Sequence, residues 1–141
     1  TAYEIGVRLV GSEMCIRDRI ARLADTVVAV EEDADLAAEA QRALSEEGVD
    51  NAIVVAGPLA EGAARHGPYD VITIEGGIEE LPEVLAAQLK DGGRIAAVFM
   101  EGALGTVKTG IRHDGRIVWR FAFHAAAPLL AGFARTRGFV L

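Results

Sequence analysis

Short apolar runs divide the chain into regularly spaced elements. Four of them are nearly continuous stretches of Val, Ile and Ala, without the apolar-polar alternation that a half-exposed strand shows. They lie at 26–30, 52–57, 70–74 and 94–99. Runs of this kind are typical of strands covered on both faces, so the pattern predicts four inner strands of a parallel sheet.

A helical pattern follows the first run. At 33–48 four apolar residues share one face, namely Leu36, Ala40, Ala43 and Leu44. Asp33 or Asp35 can cap the start of this helix, and Gly48 suits its end because glycine accepts the backbone conformation that closes a helix.

A second helical pattern lies at 81–93, before the fourth run. Its apolar face is formed by Leu81, Val84, Leu85 and Leu89. Pro82 is tolerated in a first helical turn, and Gly92-Gly93 end the pattern. The stretch 58–68, before the third run, is predicted to be a loop or a short helix.

The end of the chain has a different pattern. Two strands are predicted at 105–112 and 116–123, around a His-Asp-Gly turn at 113–115. The tail, 124–141, is apolar with Pro and Gly, and we expect an irregular segment packed on the core. The whole pattern predicts an α/β fold, a Rossmann-like doubly wound sheet that is mostly parallel and ends in an antiparallel hairpin.

The composition argues against several classes of protein, among them membrane-spanning and nucleic-acid-binding proteins. The 141 residues are enough for one domain, and 51% of them are hydrophobic, which suffices for a core. No apolar run approaches the length of roughly 20 residues that a membrane span needs, and no signal-peptide pattern opens the chain. The net charge of −7 argues against a nucleic-acid surface. A single cysteine excludes an internal disulfide, and we expect a cytoplasmic monomer.

An acidic residue stands where the first predicted strand ends. Glu31 follows the apolar run directly and precedes the first helix. In nucleotide-binding doubly wound folds a carboxylate there accepts hydrogen bonds from a ribose diol. The alternative is a solvated acid at a helix start, since Glu32 and Asp33 are adjacent and favour the helix dipole. Position alone leaves the two interpretations evenly balanced.

The glycine-rich turn that normally accompanies such an acid is missing. It should lie about 20 residues upstream, near Gly11. That region reads GSEMCIRDR at 11–19, with no helical or strand period and no G-x-G-x-x-G pattern. A domain with the acid and without the glycine loop is either divergent or damaged.

The segment 1–19 resembles translated sequencing adapter. LVGSEMCIRD, at 9–18, matches the in-frame translation of a transposase-type adapter, and the opening TAYEI matches a flow-cell primer in the same frame. The residues between them fit a sample index of about eight bases. We therefore expect 1–19 to be an artefact and 20–141 to be the C-terminal part of a domain. Because 1–19 holds three acids and three bases, the charge of −7 belongs to the remainder.

From Ile20 onward the chain resembles the protein-L-isoaspartate O-methyltransferases, a family of class I S-adenosylmethionine-dependent methyltransferases. The resemblance rests on four stretches: VVAVEEDADLAAEAQRAL, NAIVVAGPLAEG, GPYDVITIEGGIEELPEVLAAQLKDGGRIAAVF and FAFHAAAPLLAGFARTRGFVL. It implies S-adenosylmethionine as methyl donor and the isoaspartyl carboxylates of damaged proteins as acceptor, in protein repair. It implies no metal site, and the composition already argues against a membrane or nucleic-acid partner.

The resemblance also implies donor-binding positions. Glu31 would bind the ribose, and Glu32 would lie along the adenine edge. Gly57-Pro58-Leu59 matches the loop that flanks adenine, where the family usually has Gly-Asp-Gly. Pro58 cannot accept the hydrogen bond that the Asp accepts from the adenine amino group.

Glu75 is a second departure from the family pattern. It follows the fourth-motif strand, where a small or hydroxyl residue is usual, and it either approaches the donor sulfonium or faces solvent. The solvent-facing interpretation is the simpler one. No catalytic residue is assigned, because the upstream segments of the family have no counterpart in 20–141.

Four functional interpretations follow. The chain is a fragment of an isoaspartyl methyltransferase, inactive as it stands, or a methyltransferase-like enzyme with another acceptor. A nicotinamide oxidoreductase domain is a third, against which the terminal hairpin and the QLKDGGR stretch count. The fourth is a non-catalytic binding module that kept the fold and lost affinity for the donor.

The adapter segment itself carries a structural expectation. In the family's fold the first strand lies at the sheet centre, between the strands at 26–31 and 70–74. EIGVRLVG can form a short strand, and SEMCIRDRIARLA can form a helix after it. We therefore expect 5–10 to fill the central position and 13–24 to be helical, by accidental complementation.

Overall fold

The computed structural model describes residues 3–7 and 21–136, which alternate between strands and helices. The strands are β1 (Tyr3–Val7), β2 (Thr26–Glu31), β3 (Ala52–Ala56), β4 (Tyr69–Ile78), β5 (Leu89–Glu101), β6 (Leu104–His113) and β7 (Arg116–His124). The helices are α1 (Ala34–Glu46) and α2 (Glu83–Ala86), with single 3₁₀ turns at Leu59–Glu61 and Ala64–His66. No helix among these residues is long and apolar enough to cross a membrane.

The strands form one sheet in the order β3-β2-β1-β4-β5-β6-β7. The pairs from β3 to β5 are parallel, and the pairs β5-β6 and β6-β7 are antiparallel. The α/β prediction of a mostly parallel sheet with a terminal hairpin is therefore confirmed. The hairpin turn has positive φ at both central residues, 49° at Asp114 and 76° at Gly115, which matches the right-handed twist of the strands it joins.

β1 occupies the sheet centre, as expected for the opening segment. Ile5 is the register partner of Val28 on one side and of Ile72 on the other. The strand begins at Tyr3, two residues before the expected start, and pairs with both neighbours through Val7. Positions 8–10 of the expected strand lie outside the described residues, as does most of the expected helix at 13–24, of which 21–23 are helical.

α1 begins and ends close to the predicted positions. The carboxylate of Asp33 accepts hydrogen bonds from the backbone N–H groups of Asp35 at 2.9 Å and of Leu36 at 3.1 Å, so Asp33 is the N-cap. Gly48, with φ of 73°, follows the last turn. The helix buries Ala37, Ala40 and Leu44.

The helix predicted at 81–93 is much shorter in the structure, so the prediction is wrong in extent. α2 ends at Ala86, and Leu89 already begins β5 as the register partner of Tyr69. Leu89 is fully buried there, so strand pairing in the core prevails over the helical period of the sequence. Gly92, with φ of 80°, lies in the irregularity between this first pair and the next, and not at a helix end.

The sheet is covered on both faces. On one face α1 packs with Leu44 against Val27 and Ala52. On the other face the larger core joins β2, β4 and β5 to the 3₁₀ turns, α2 and the tail, and its members include Val28, Val30, Leu59, Ile72, Ile74, Leu85, Ile95, Leu130 and Phe133. The sheet is thus doubly wound.

The tail packs on this core without regular structure through residue 136, as predicted. Gly77 donates to the carbonyl of Pro128 and accepts from Leu130, both at 2.8 Å. A Cβ at Gly77 would lie 2.7 Å from the carbonyl oxygen of Ala127, and one at Gly76 would lie 2.5 Å from Leu130 Cγ. The glycine pair therefore allows the tail to approach β4.

Replacing the α1 cap tests the local stability of this unit. Asp33→Ala removes the acceptor for two helix N–H groups, and we expect it to lower the free energy of unfolding by about 1 kcal/mol in urea titrations. Glu39→Ala, at an exposed position inside the same helix, is the matched control. Equal effects of the two substitutions would contradict the capping role.

Candidate active site

The predicted donor-binding residues lie along the carboxyl edge of the parallel strands. Glu31 ends β2, the Gly57-Pro58-Leu59 stretch follows β3, and Glu75 lies in β4. Ligands of open α/β sheets bind in the crevice outside this edge. The order β2-β1-β4 separates Glu31 from the Glu75 strand by two strand spacings, roughly 10 Å.

Glu31 is a buried carboxylate, only 1% exposed. Its Oε1 accepts a hydrogen bond from the backbone N–H of Asp33 at 3.1 Å. Within the described residues this is the only hydrogen bond to the carboxylate, so Oε2 has no donor there. Glu31 is therefore not a solvated acid in this structure, and a buried carboxylate normally has more hydrogen bonds than the described residues provide. Ribose binding by Glu31 stays a prediction.

The structure brings Gly57 next to Glu31. The backbone N–H of Gly57 donates to the main-chain oxygen of Glu31 at 2.9 Å, continuing the parallel pairing of β2 and β3. Glu32 and Pro58 are exposed on either side of this contact. Leu59 is 1% exposed and belongs to the core, so its side chain anchors the loop.

Glu75 lies where β4 departs from regular pairing with β5. The register between the two strands shifts between Thr73 and Gly77, and Glu75 is half-buried inside that irregularity. The solvent-facing interpretation of Glu75 is therefore only partly met, and its approach to the donor stays a prediction.

Gln88 fixes the loop that follows Gly57, a role that the sequence analysis missed. The side chain is 6% exposed. Its Oε1 accepts from the backbone N–H of Ala63 at 3.1 Å, and its Nε2 donates to the carbonyls of Glu61 at 2.7 Å and Val84 at 3.1 Å. A polar residue three positions after Leu85, on the predicted apolar face of a helix, was the available signal.

Tyr69 holds the same loop from the other side. It is fully buried, and its hydroxyl donates to the carbonyl of Ala63 at 2.5 Å. Burial raises the pKa of Tyr69 to about 12. Between these anchors Gly62 has φ of 62°, and a Cβ there would lie 2.6 Å from Gln88 Oε1, so only glycine fits. The loop beside the candidate donor site is thus rigidly attached to α2 and β4.

The three histidines are not among the predicted donor residues. His66, His113 and His124 are all exposed. Among the described residues, one group with metal-ligand atoms within 4.8 Å of one another joins His113 to Asp91 and Asp114 at the hairpin turn, and all three side chains are exposed. His113 Nε2 lies 3.4 Å from Asp114 Oδ2, an ordinary surface contact.

Comparison with known proteins identifies the family. The family model described as Protein-L-isoaspartate(D-aspartate) O-methyltransferase matches residues 3–118. The chain belongs to this family. The matched range begins inside 1–19, at the first residue of β1.

A relative and two solved structures give the extent of the similarity. The Thermotoga maritima protein-L-isoaspartate O-methyltransferase is 34% identical over 85 residues, which are 60% of this chain and 27% of the relative. A solved protein-L-isoaspartate O-methyltransferase superposes with a TM-score of 0.81 at 24% identity, covering 93% of this chain and 42% of the other. A Plasmodium falciparum structure of the same description, in complex with S-adenosyl-L-homocysteine, gives 0.68 at 19% identity, covering 92% and 65%.

These superpositions confirm the class I methyltransferase fold. They also show that the chain spans less than half the length of the Thermotoga maritima relative and of the more similar structure. The predicted donor-site residues therefore belong to a family fold of which the chain provides one part.

The anchoring role of Gln88 can be tested by replacing its side chain with an apolar one of similar volume. Gln88→Met leaves the Ala63 N–H and the Glu61 carbonyl without partners, and we expect a loss of at least about 2 kcal/mol in the free energy of unfolding. Hydrogen exchange should accelerate at 59–66.

Gln41→Met is the matched control. Gln41 Oε1 accepts one hydrogen bond, from Val54 N–H at 2.9 Å, so its replacement should cost about 1 kcal/mol and leave exchange at 59–66 unchanged. A Gln88 variant no less stable than the Gln41 variant would refute the anchoring role.

Proposed function

We propose that the intact form of this protein transfers a methyl group from S-adenosylmethionine to isoaspartyl carboxylates of damaged proteins. The observation that carries the proposal is Glu31, a buried carboxylate at the carboxyl edge of β2 with one oxygen lacking a donor among the described residues. A ribose diol supplies hydroxyl donors for such an oxygen. Membership of the family and the fold shared with methyltransferases support the same donor.

The remaining donor contacts are assigned by position. Glu32 lies along the adenine edge, and the backbone of the loop at 57–59 flanks the adenine ring. Pro58 has neither a side-chain acceptor nor an N–H group, so the adenine amino group is left to a backbone carbonyl. Glu75 lies in β4 at the same edge, where it faces solvent or, if its carboxylate reaches the sulfonium, would favour the positive charge.

For methyl transfer the protein mainly has to align the acceptor carboxylate with the methyl group of the donor. The acceptor carboxylate is already a nucleophile, and one of its oxygens forms the new bond to the methyl carbon as the bond to sulfur breaks. The products are a methyl ester and S-adenosylhomocysteine. The following backbone nitrogen then attacks the ester, methanol leaves, and the resulting succinimide reopens with water to aspartate or isoaspartate.

We further propose that residues 1–19 derive from sequencing adapter, so that the 141-residue chain is an inactive fragment. The two adapter matches in one reading frame support this origin. In the intact protein the glycine loop for the methionine end of the donor, and the segment that binds isoaspartate, would precede Ile20. We propose a cytoplasmic monomer, consistent with the acidic composition.

A second candidate is a methyltransferase-like protein with another acceptor, or a binding module without activity. Pro58 favours it, because the exposed loop residue cannot accept a hydrogen bond from adenine through its side chain. Binding of S-adenosylhomocysteine separates a module from an enzyme, and methylation of an isoaspartyl peptide separates the acceptors.

If Glu31 binds the ribose, replacing its side chain should lower the affinity for the donor. Glu31→Ala in the intact protein removes the acceptor of two ribose hydroxyls, an interaction of about 1.5–3 kcal/mol, and should weaken S-adenosylhomocysteine binding at least about tenfold in calorimetry. Asp35→Ala, at an exposed acid of α1, should leave the dissociation constant unchanged. An unaltered dissociation constant in a folded Glu31→Ala variant would reject the assignment.

The 141-residue chain should show no methyl transfer. The proposed adapter origin of 1–19 removes half of the donor site and the acceptor site. Incubation with radiolabelled S-adenosylmethionine and an isoaspartyl peptide should give no incorporation above a control without enzyme, whereas the intact protein should give it. Incorporation by the 141-residue chain would contradict the adapter proposal.

A further inference from the structure

A cavity of about 740 Å³ lies at the carboxyl end of β5, away from the donor residues. Its floor is formed by Phe99, Thr106 and Lys108, and its walls include Glu79, His124 and Arg135. Phe99 and Thr106 are register partners across β5 and β6, so the floor is part of the sheet. The walls come from the segment after β4, from the end of β7 and from the tail.

The floor combines an aromatic surface with a positive charge. Phe99 packs edge-on against Trp119, with ring centroids 4.8 Å apart, which holds its ring in place. The ammonium nitrogen of Lys108 lies 4.9 Å from the centroid of the Phe99 ring. Lys108 is half-buried, so its charge is less screened than that of a fully exposed lysine.

The two cations of this cavity have no ion-pair partner in the part of the chain that the structure describes. Neither Lys108 nor Arg135 has a carboxylate within the 4.0 Å ion-pair distance there. The other lysine, Lys90, is paired with Asp70 at 3.2 Å. Glu79 is engaged instead by the backbone N–H of Arg135, which donates to its Oε2 at 2.7 Å.

The carboxylates of the cavity restrict what it can bind. Glu101 is exposed and Glu79 accepts from the Arg135 N–H, whereas Lys108 is half-buried on the floor, so the Lys108 charge is less screened by solvent than the charge of Glu101. A polypeptide that presents one or two carboxylates beside apolar side chains matches the aromatic floor and the unpaired cations. The cavity therefore suits an acidic peptide.

The cavity lies within reach of the proposed reaction. In the order β2-β1-β4-β5 it is three strand spacings, roughly 14 Å, from the strand that carries Glu31. A donor extending from Glu31 along the edge to β4 would end one spacing from β5. Residues neighbouring the methylated residue of a bound peptide would then lie over the cavity.

We propose that this cavity binds acidic side chains that flank the reacting residue of the acceptor polypeptide, through Lys108 and Arg135. The proposal rests on the proposed function for the identity of the reacting residue. It assigns to this protein a preference for acidic over basic flanking sequence, which is a property of the cavity and not of the methyl-transfer step.

Direct binding to the 141-residue chain tests the proposal. Fluorescein-labelled peptides with acidic, neutral or basic flanks, each in an isoaspartyl and an aspartyl form, are titrated in fluorescence anisotropy. The acidic peptides should bind at least about fivefold more tightly than the basic ones, and the difference should shrink with added salt.

Removing either positive charge of the cavity should weaken the preference for acidic peptides. Lys108→Gln and Arg135→Gln should each reduce it about threefold or more, and Lys108→Arg should retain it. Arg116→Gln, at an exposed cation of β7 outside the cavity lining, is the matched control and should have no effect. Equal affinities for acidic and basic peptides, or an equal effect of Arg116→Gln, would overturn the proposal.

The experiments distinguish a failure of the cavity assignment from a failure of the proposed methyltransferase function. An acidic preference shared by isoaspartyl and aspartyl peptides, together with no methylation by the intact protein, would support the cavity assignment and reject the methyltransferase function. Methylation of acidic and basic isoaspartyl peptides with equal efficiency by the intact protein, without a binding preference in this chain, would reject the cavity assignment alone.

Discussion

The backbone pairing at the sheet centre is the constraint on which the rest of the structure depends. β2 and β4 each need a parallel partner between them, because buried N–H and C=O groups left unpaired cost about 1–3 kcal/mol each. β1 provides it, with Val7 as register partner of both Val30 and Ile74. Across this central strand, Val28 and Val30 of β2 join one core cluster with Ile72 and Ile74 of β4.

Main-chain pairing makes few demands on sequence. The ladder uses groups that every residue except proline has, so any short extended segment at the right distance from β2 can satisfy it. An adapter-derived segment can therefore complete the sheet if it has the right length. Donor binding is different, because the glycine-rich turn of such folds needs glycines where a side chain would block the ligand, and the sequence at 8–19 has only Gly11.

The sequence was most informative where burial and turn chemistry agree. β2, β3, β6 and β7 lie within one or two residues of their predicted positions, because continuous apolar runs or a tight Asp-Gly turn determine them locally. The extents of α2 and β5 were wrong, since Leu89 satisfies both a helical period and a strand pairing and only the contact with Tyr69 decides between them. Gln88 and Tyr69 were missed for the same reason: their partners at 61–63 lie 6 to 27 residues away in the chain.

Of the candidate site, the position of Glu31 could be predicted, and its burial could not. The acid at the strand end follows from the pattern, whereas its 1% exposure arises only in the folded chain, where the loop after β3 begins with a backbone contact to Glu31. That loop is held by Gln88 and Tyr69, which in turn are fixed by α2 and the start of β4.

The loop beside Glu31 is thus held from the core by Gln88 and Tyr69, whereas the order of the strands at the same edge depends on β1. The family match includes β1, which supplies strand pairing to both of its neighbours. Activity depends on side-chain chemistry at the same edge, and backbone pairing does not supply that chemistry.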